Sequence, residues 1–150
     1  MRRLRSSITG AALVMAALCG GWVAVAAQSA RGGYQVIRNP DNPIDAVDRQ
    51  FLEDAFLKKK TVWPDGASVR PVDLAPASTA RRQFSDDVLR RPVDAIRSYW
   101  QQRIFAGREL PPPELGSDAE VVRFVLRERG AVGYVSNGTA LNGTKPLTVK

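Results

Sequence analysis

Gly130-Ala131-Val132-Gly133-Tyr134-Val135 is a short apolar run that reads as a strand. Before it lies Ser117-Asp118-Ala119-Glu120, the pattern of a capping box, with Glu120 placed to reach back to the cap. Val121, Val122, Val125 and Leu126 then supply the buried face of a helix, and Gly130 is placed to end it. After the strand come two turn signals, Asn137-Gly138 and Asn142-Gly143, and Leu147-Thr148-Val149 as a last strand.

Working upstream, the same alternation continues. Tyr34-Gln35-Val36-Ile37 reads as a strand closed by Asn39-Pro40 and Asn42-Pro43. A helix follows from about Asp45 to Lys58, with Val47, Phe51, Leu52, Ala55 and Phe56 at helical spacing. Lys58, Lys59 and Lys60 stand at its C-terminal end, where cations suit the dipole. Trp63-Pro64-Asp65-Gly66 is a turn, and Val69 to Leu74 a strand whose Pro71 assigns it to an edge or a strand start. Ser78 or a neighbour caps a helix to about Leu89, broken by Arg90-Arg91-Pro92. A further helix, about Val93 to Phe105, puts Val93, Ile96, Trp100 and Ile104 on one stripe. Pro111-Pro112-Pro113 is a stiff connector. The order β-α-β-α-α-α-β predicts a small α/β layer structure with helices covering the sheet.

The first 27 residues read as an address. Arg2, Arg3 and Arg5 precede an apolar run from Ile8 to Ala27 that ends in small residues, so cleavage after Ala26 or Ala27 is expected. A membrane anchor is the alternative, but Gly20 and Gly21 interrupt the run. Neither a lipoprotein signal at Cys19 nor a twin-arginine signal has the surrounding residues it needs. Residues 28–33 form a small polar linker, and 34–150 one domain. Of the formal charge of +7 the leader holds three cations and no acid, leaving +4 on the mature part.

Several chemistries are excluded. The chain has no His, so a Ser-His-Asp triad, a Cys-His pair and His-ligated metal are ruled out. Its single cysteine, Cys19, lies in the leader, so the mature chain has no disulfide and no thiol nucleophile. Asp86 with Asp87, and Asp118 with Glu120, are neighbouring carboxylates on helix surfaces and need no acid–base role. No catalytic residue, metal or cofactor is assigned, and an enzyme is not expected. The cations at Lys58–Lys60, Arg81, Arg82, Arg90 and Arg91 are spread over several helix ends, which fits a solvated face and not a nucleic-acid footprint. Trp63, Tyr99, Trp100 and Tyr134 are read as core packing. Asn137-Gly138-Thr139 and Asn142-Gly143-Thr144 match a glycosylation sequon inside a turn-rich tail.

A set of phrases recurs in order: Val36-Ile37-Arg38-Asn39-Pro40, Phe56-Leu57-Lys58-Lys59-Lys60, Trp63-Pro64-Asp65-Gly66, Val69 to Val72, Phe84, Tyr99-Trp100, Ile104-Phe105-Ala106-Gly107 and Gly130 to Val135. Over about Tyr34 to Leu141 this series resembles one lobe of the periplasmic phosphate-binding proteins of ABC transporters. The resemblance implies a single lobe of a type II periplasmic-binding-protein-like fold, a small mixed sheet flanked by helices. It implies an exported, periplasmic solute-binding-like protein taking phosphate or another small oxyanion. Its partner would be an ABC permease or another envelope protein, with no membrane span after signal cleavage.

Anchored on Phe84, the family's loop serine falls on Ser78 and its following arginine on Arg81. The loop's Gly and Thr positions hold Thr79 and Ala80, and its upstream arginine position holds Leu74. Ser78, Thr79 and Arg81 are therefore the candidate oxyanion ligands, with Arg81 or Arg82 able to fork onto the anion. The plainer alternative is a Ser or Thr cap with both arginines facing water. With one hydroxyl site kept and the main cation position lost, a second role stays open: a periplasmic interaction or accessory module that has lost solute binding. A homodimer rebuilding a two-lobed cleft also stays open.

Overall fold

The computed structural model describes residues 33–150, so the leader and most of the linker lie outside the described residues. The chain opens with β1 (Tyr34–Arg38), β2 (Ala46–Val47) and α1 (Arg49–Phe56). Next come β3 (Arg70–Pro71), β4 (Asp73–Leu74) and α2 (Thr79–Phe84), which runs straight into a π-helical turn at Ser85–Leu89. Then follow α3 (Val93–Phe105), β5 (Glu114–Leu115), α4 (Asp118–Arg127), β6 (Ala131–Ser136), β7 (Lys145–Pro146) and β8 (Thr148–Val149).

The main sheet has the order β3-β6-β1-β7 and is mixed. β6 is its centre, antiparallel to β1, with Val36 opposite Tyr134, and parallel to β3. Val72, just past β3, donates its N–H to the carbonyl of Val132 at 2.9 Å, and Val36 lies on β1 beside β6, so Val36, Val72 and Val132 are neighbours as the α/β reading requires. β6 is buried along Ala131–Val135, which is why its sequence is a continuous apolar run and not an alternating one. Pro71 stands on β3, an edge of the main sheet, where a residue without N–H costs no ladder bond.

The expected strand at 69–74 is two pieces. β3 pairs with β6, whereas β4 turns away to pair in parallel with β5. The expected first helix is shorter, because Ala46–Val47 pairs with Thr148–Val149 and Asp48 becomes the N-cap, accepting from the N–H of Phe51. The lysine triplet lies past the helix: Leu57 is the C-cap and Lys58 has φ +53°. The α2 segment keeps its expected span only by widening into the π turn, which Arg90 closes at φ 52°. The capping box at Ser117 forms as read, with the Glu120 side chain accepting from the N–H groups of Gly116 (2.8 Å) and Ser117 (3.1 Å). That fixed role removes Glu120 from any acid–base reading.

The Asn-Pro phrase also has a packing explanation. Asn39 is buried, and its side-chain amide donates to the carbonyls of Val125 (2.8 Å) and Leu126 (3.1 Å) in the last turn of α4. It thereby satisfies orphan carbonyls of that helix. The core is one continuous cluster from Val36 to Leu147. Phe84 stacks on Tyr134 with ring centroids 3.9 Å apart, and Tyr34 and Phe56 pack around them. Trp63 is buried, lies 5.2 Å from the ring of Phe51, and donates its indole N–H to the carbonyl of Gly130 at 3.0 Å.

Two glycines of the β6 phrase are required by close approach. A Cβ on Gly130 would collide with the backbone carbonyl of Ser68, and one on Gly133 would lie 2.7 Å from Val72 and 2.8 Å from Val121. Gly133→Ala is expected to destabilise the domain by about 2 kcal/mol through overpacking. Gly130→Ala should cost more, since backbone is the obstacle, and urea denaturation of the two variants gives the order.

Candidate functional site

The segment Ala75–Ser78 joins β4 to α2. It is tied down at one end by the N–H of Ala75, which donates to the carbonyl of Leu115, and closed by the N–H of Ser78 donating to Ala75. Ser78 is the N-cap of α2, its Oγ accepting from the N–H of Arg81 at 3.3 Å. Thr79 is exposed, and its Oγ1 accepts from the Arg82 guanidinium at 3.0 Å. The same guanidinium donates to the carbonyl of Ala77 at 2.9 Å. Arg82 is thus folded back over the loop on its solvent side.

Arg81 points the other way. Its side chain is 3% exposed and forms an ion pair with the Asp73 carboxylate, itself 5% exposed. Its Nη1 also lies 3.4 Å from the hydroxyl of Tyr134, and Nη2 lies 3.9 Å from Glu114. The Tyr134 hydroxyl donates to the other oxygen of Asp73 and sits 3.3 Å from the N–H of Leu74. Asp73 therefore takes both a guanidinium and a phenol, and β4, α2 and β6 meet in one buried polar cluster.

The structure brings Ser78 and Thr79 together at the start of α2 and separates Arg81 from them. Of the candidate ligands Ser78, Thr79 and Arg81, the arginine is the internal one, and of the two arginines that the plainer alternative turns to water only Arg82 is at the surface. The reason is helical phase. Arg81 and Phe84 are three residues apart, so they share the face turned to Tyr134. Asp73 and Glu114 went unnoticed in the sequence, and Tyr134 reads there as core packing without its hydroxyl's role. The available signal was a carboxylate and a phenol placed inside strand segments that otherwise read as buried.

Burial lowers the pKa of Arg81, and the coulombic influences of Tyr134 and Glu114 work against it. Burial raises the pKa of Tyr134, while the Arg81 charge and the hydrogen bond from Leu74 pull it back. Chemically the arrangement is a neutralised cation beneath a loop that carries two hydroxyls and one exposed guanidinium. Among the described residues no group of three or more His, Cys, Asp or Glu side chains is gathered for a metal. No described helix is long and apolar enough to cross a membrane.

Solved structures that superpose on the chain include phosphate receptors. The chain superposes on an ABC-type phosphate transport receptor from Vibrio cholerae at a TM-score of 0.61 and 18% identity, over 79% of this chain and 46% of that one. It superposes on a protein described as a phosphate ABC transporter substrate-binding protein from Clostridium perfringens, with phosphate bound, at TM-score 0.62 and 16% identity, over 79% and 45%. PstS from Borrelia burgdorferi gives 0.60 and 15%, over 79% and 47%. The chain has a phosphate-binding-protein-like fold. It spans less than half the length of each of these receptors. No protein-family model and no curated protein matches the sequence. The phosphate-binding-protein-like fold is therefore carried by packing and topology at very low identity.

Two outcomes are expected of the buried cluster. Asp73→Ala leaves the Arg81 charge uncompensated inside the lobe and should cost about 3–5 kcal/mol. The double variant Asp73→Leu/Arg81→Met removes both charges and should cost less than Asp73→Ala alone, as urea denaturation at neutral pH will measure. The second concerns pH. Because Tyr134 ionises less readily when folded than its ordinary 10.0, the unfolded chain sheds that proton first, and stability falls as pH rises past 10. Tyr134→Phe should be weaker than wild type at pH 7 yet lose less stability between neutral pH and about pH 11.

Proposed function

We propose that this chain is an exported, periplasmic solute-binding-like protein that takes a small oxyanion, phosphate foremost, on behalf of an ABC transporter. The observation that carries the reading is the phosphate-binding-protein-like fold over 79% of the chain. The strand–loop–helix at residues 73–84 supports the position. In this reading the anion meets the hydroxyls of Ser78 and Thr79 and the free N–H groups at the start of the helical segment. Arg82 supplies the exposed cation, forking onto the anion in place of its bonds to Thr79 and Ala77. Arg81 acts from beneath as a positioning group, its charge offset by Asp73. With that cation already paired, the affinity is expected to be low.

One observation favours a second reading, an envelope interaction or accessory module that does not take solute. The buried Arg81 directs its Nη atoms to Asp73, Tyr134 and Glu114 and is not turned to the loop surface. Calorimetric titration of the mature chain with inorganic phosphate separates the two. Saturable heat with a dissociation constant of about 1 mM, lost in Arg82→Ala and weakened in Ser78→Ala/Thr79→Val, supports oxyanion binding. Absence of heat at about 10 mM phosphate removes it and leaves the module.

A further inference from the structure

Residues 141–144 form a turn after β6, closed by the N–H of Thr144, which donates to the carbonyl of Leu141 at 2.9 Å. Its two central residues, Asn142 (φ +47°) and Gly143 (φ +100°), are both left-handed and both exposed. Positive φ at both central positions is the mark of a type I′ turn, which suits an Asn-Gly pair. Thr144 is buried, and its hydroxyl also donates to the Leu141 carbonyl, at 2.7 Å. The hydroxyl of the Asn142-Gly143-Thr144 sequon is thus already engaged inside the turn. We propose that Asn142 is instead a site of spontaneous covalent modification, at which water converts the asparagine to aspartate and isoaspartate, and that the isoaspartate loosens the C-terminal strands.

The step balances with water alone. The main-chain nitrogen of Gly143 gives up its proton to solvent and attacks Cγ of Asn142. A five-membered succinimide closes as the carboxamide C–N bond breaks, and ammonia leaves. Water then opens the ring. Addition at Cγ restores the main chain and leaves aspartate. Addition at the Asn142 main-chain carbonyl leaves isoaspartate, in which the chain runs through Cβ and Cγ. Nothing is oxidised or reduced. The geometry favours this pair over the other one. Gly143 has no Cβ to crowd the attack, and neither its N–H nor that of Asn142 enters a backbone hydrogen bond, so the attacking nitrogen is unengaged. The turn at Asn137-Gly138 is held from several sides. Asn137 donates its N–H to Gly33 at 2.9 Å and Thr139 to Ser136 at 3.1 Å. The Thr139 hydroxyl bonds Asp118 at 3.0 Å, and its carbonyl accepts from Gln35 at 3.4 Å. The consequence follows from position. Beyond Gly143 the chain returns through β7 and β8, with Leu147 buried. The N–H groups of Leu147, Thr148 and Lys150 donate to the carbonyls of Val36, Asp45 and Val47. An isoaspartate adds a methylene to the main chain just ahead of these bonds and alters the turn that sets their register.

The experiment is peptide mapping by mass spectrometry of the purified chain during incubation at mildly alkaline pH, folded and in urea, with enzymatic methyl labelling of isoaspartate. In urea both Asn-Gly pairs should convert at similar rates, since neither turn is formed. In the folded chain Asn142 should convert several-fold faster than Asn137, releasing ammonia and giving two isomeric acid peptides. Hydrogen exchange then compares the isoaspartate form with Asn142→Asp, which carries the same charge without the added methylene. The N–H groups of Leu147, Thr148 and Lys150 should exchange several-fold faster only in the isoaspartate form. Asn142 surviving in the folded chain while the chain in urea converts, Asn137 converting as fast as Asn142 in the folded chain, or equal exchange in the two acid forms would each overturn the proposal.

Discussion

A guanidinium inside the lobe has to be neutralised, and that requirement organises the middle of this protein. Arg81 comes from α2, Asp73 from β4 and Tyr134 from β6. Each is almost wholly buried, so none can exchange its partner for water. Asp73 meets the demand by accepting from the guanidinium and the phenol together. The aromatic layer rests on the same point, because the ring that donates to Asp73 is the one stacked on Phe84. Polar and apolar packing are thus joined at one side chain, Tyr134.

That arrangement divides the neighbouring surface into two chemistries. One side of the β4–α2 loop shows hydroxyls and the Arg82 guanidinium. The other shows the apolar wall of α3, with Arg81 and Glu114 at its polar corner. The loop has little freedom between them, since Ala75 is bonded to β5 and Ser78 caps the helix. A phosphate-binding-protein-like fold thus carries, just past this loop, one arginine that points into the interior and one that lies over the loop.

Much of the architecture was legible in the residues. The apolar run at Ala131–Val135 marked the central strand, the Ser117–Glu120 box marked its preceding helix, and Pro71 marked an edge. The short strands β2, β5 and β7 were not legible. Each is two residues long, and two residues carry no period. They exist because distant segments arrive beside them, as Thr148 beside Ala46 and Glu114 beside Asp73. Asn39 looked like turn chemistry and is also the cap of a helix 86 residues later.

The sequence by itself determined the alternation of strands and helices, the caps, the absence of histidine chemistry and the positions of Ser78 and Thr79 at a helix start. These follow from local spacing and composition, which a linear chain displays. Only the tertiary structure decided which of two adjacent arginines is internal. Arg81 and Arg82 are chemically identical in the sequence. They differ by about 100° around the helix axis, and a strand residue 53 positions away, Tyr134, lies on one side with solvent on the other.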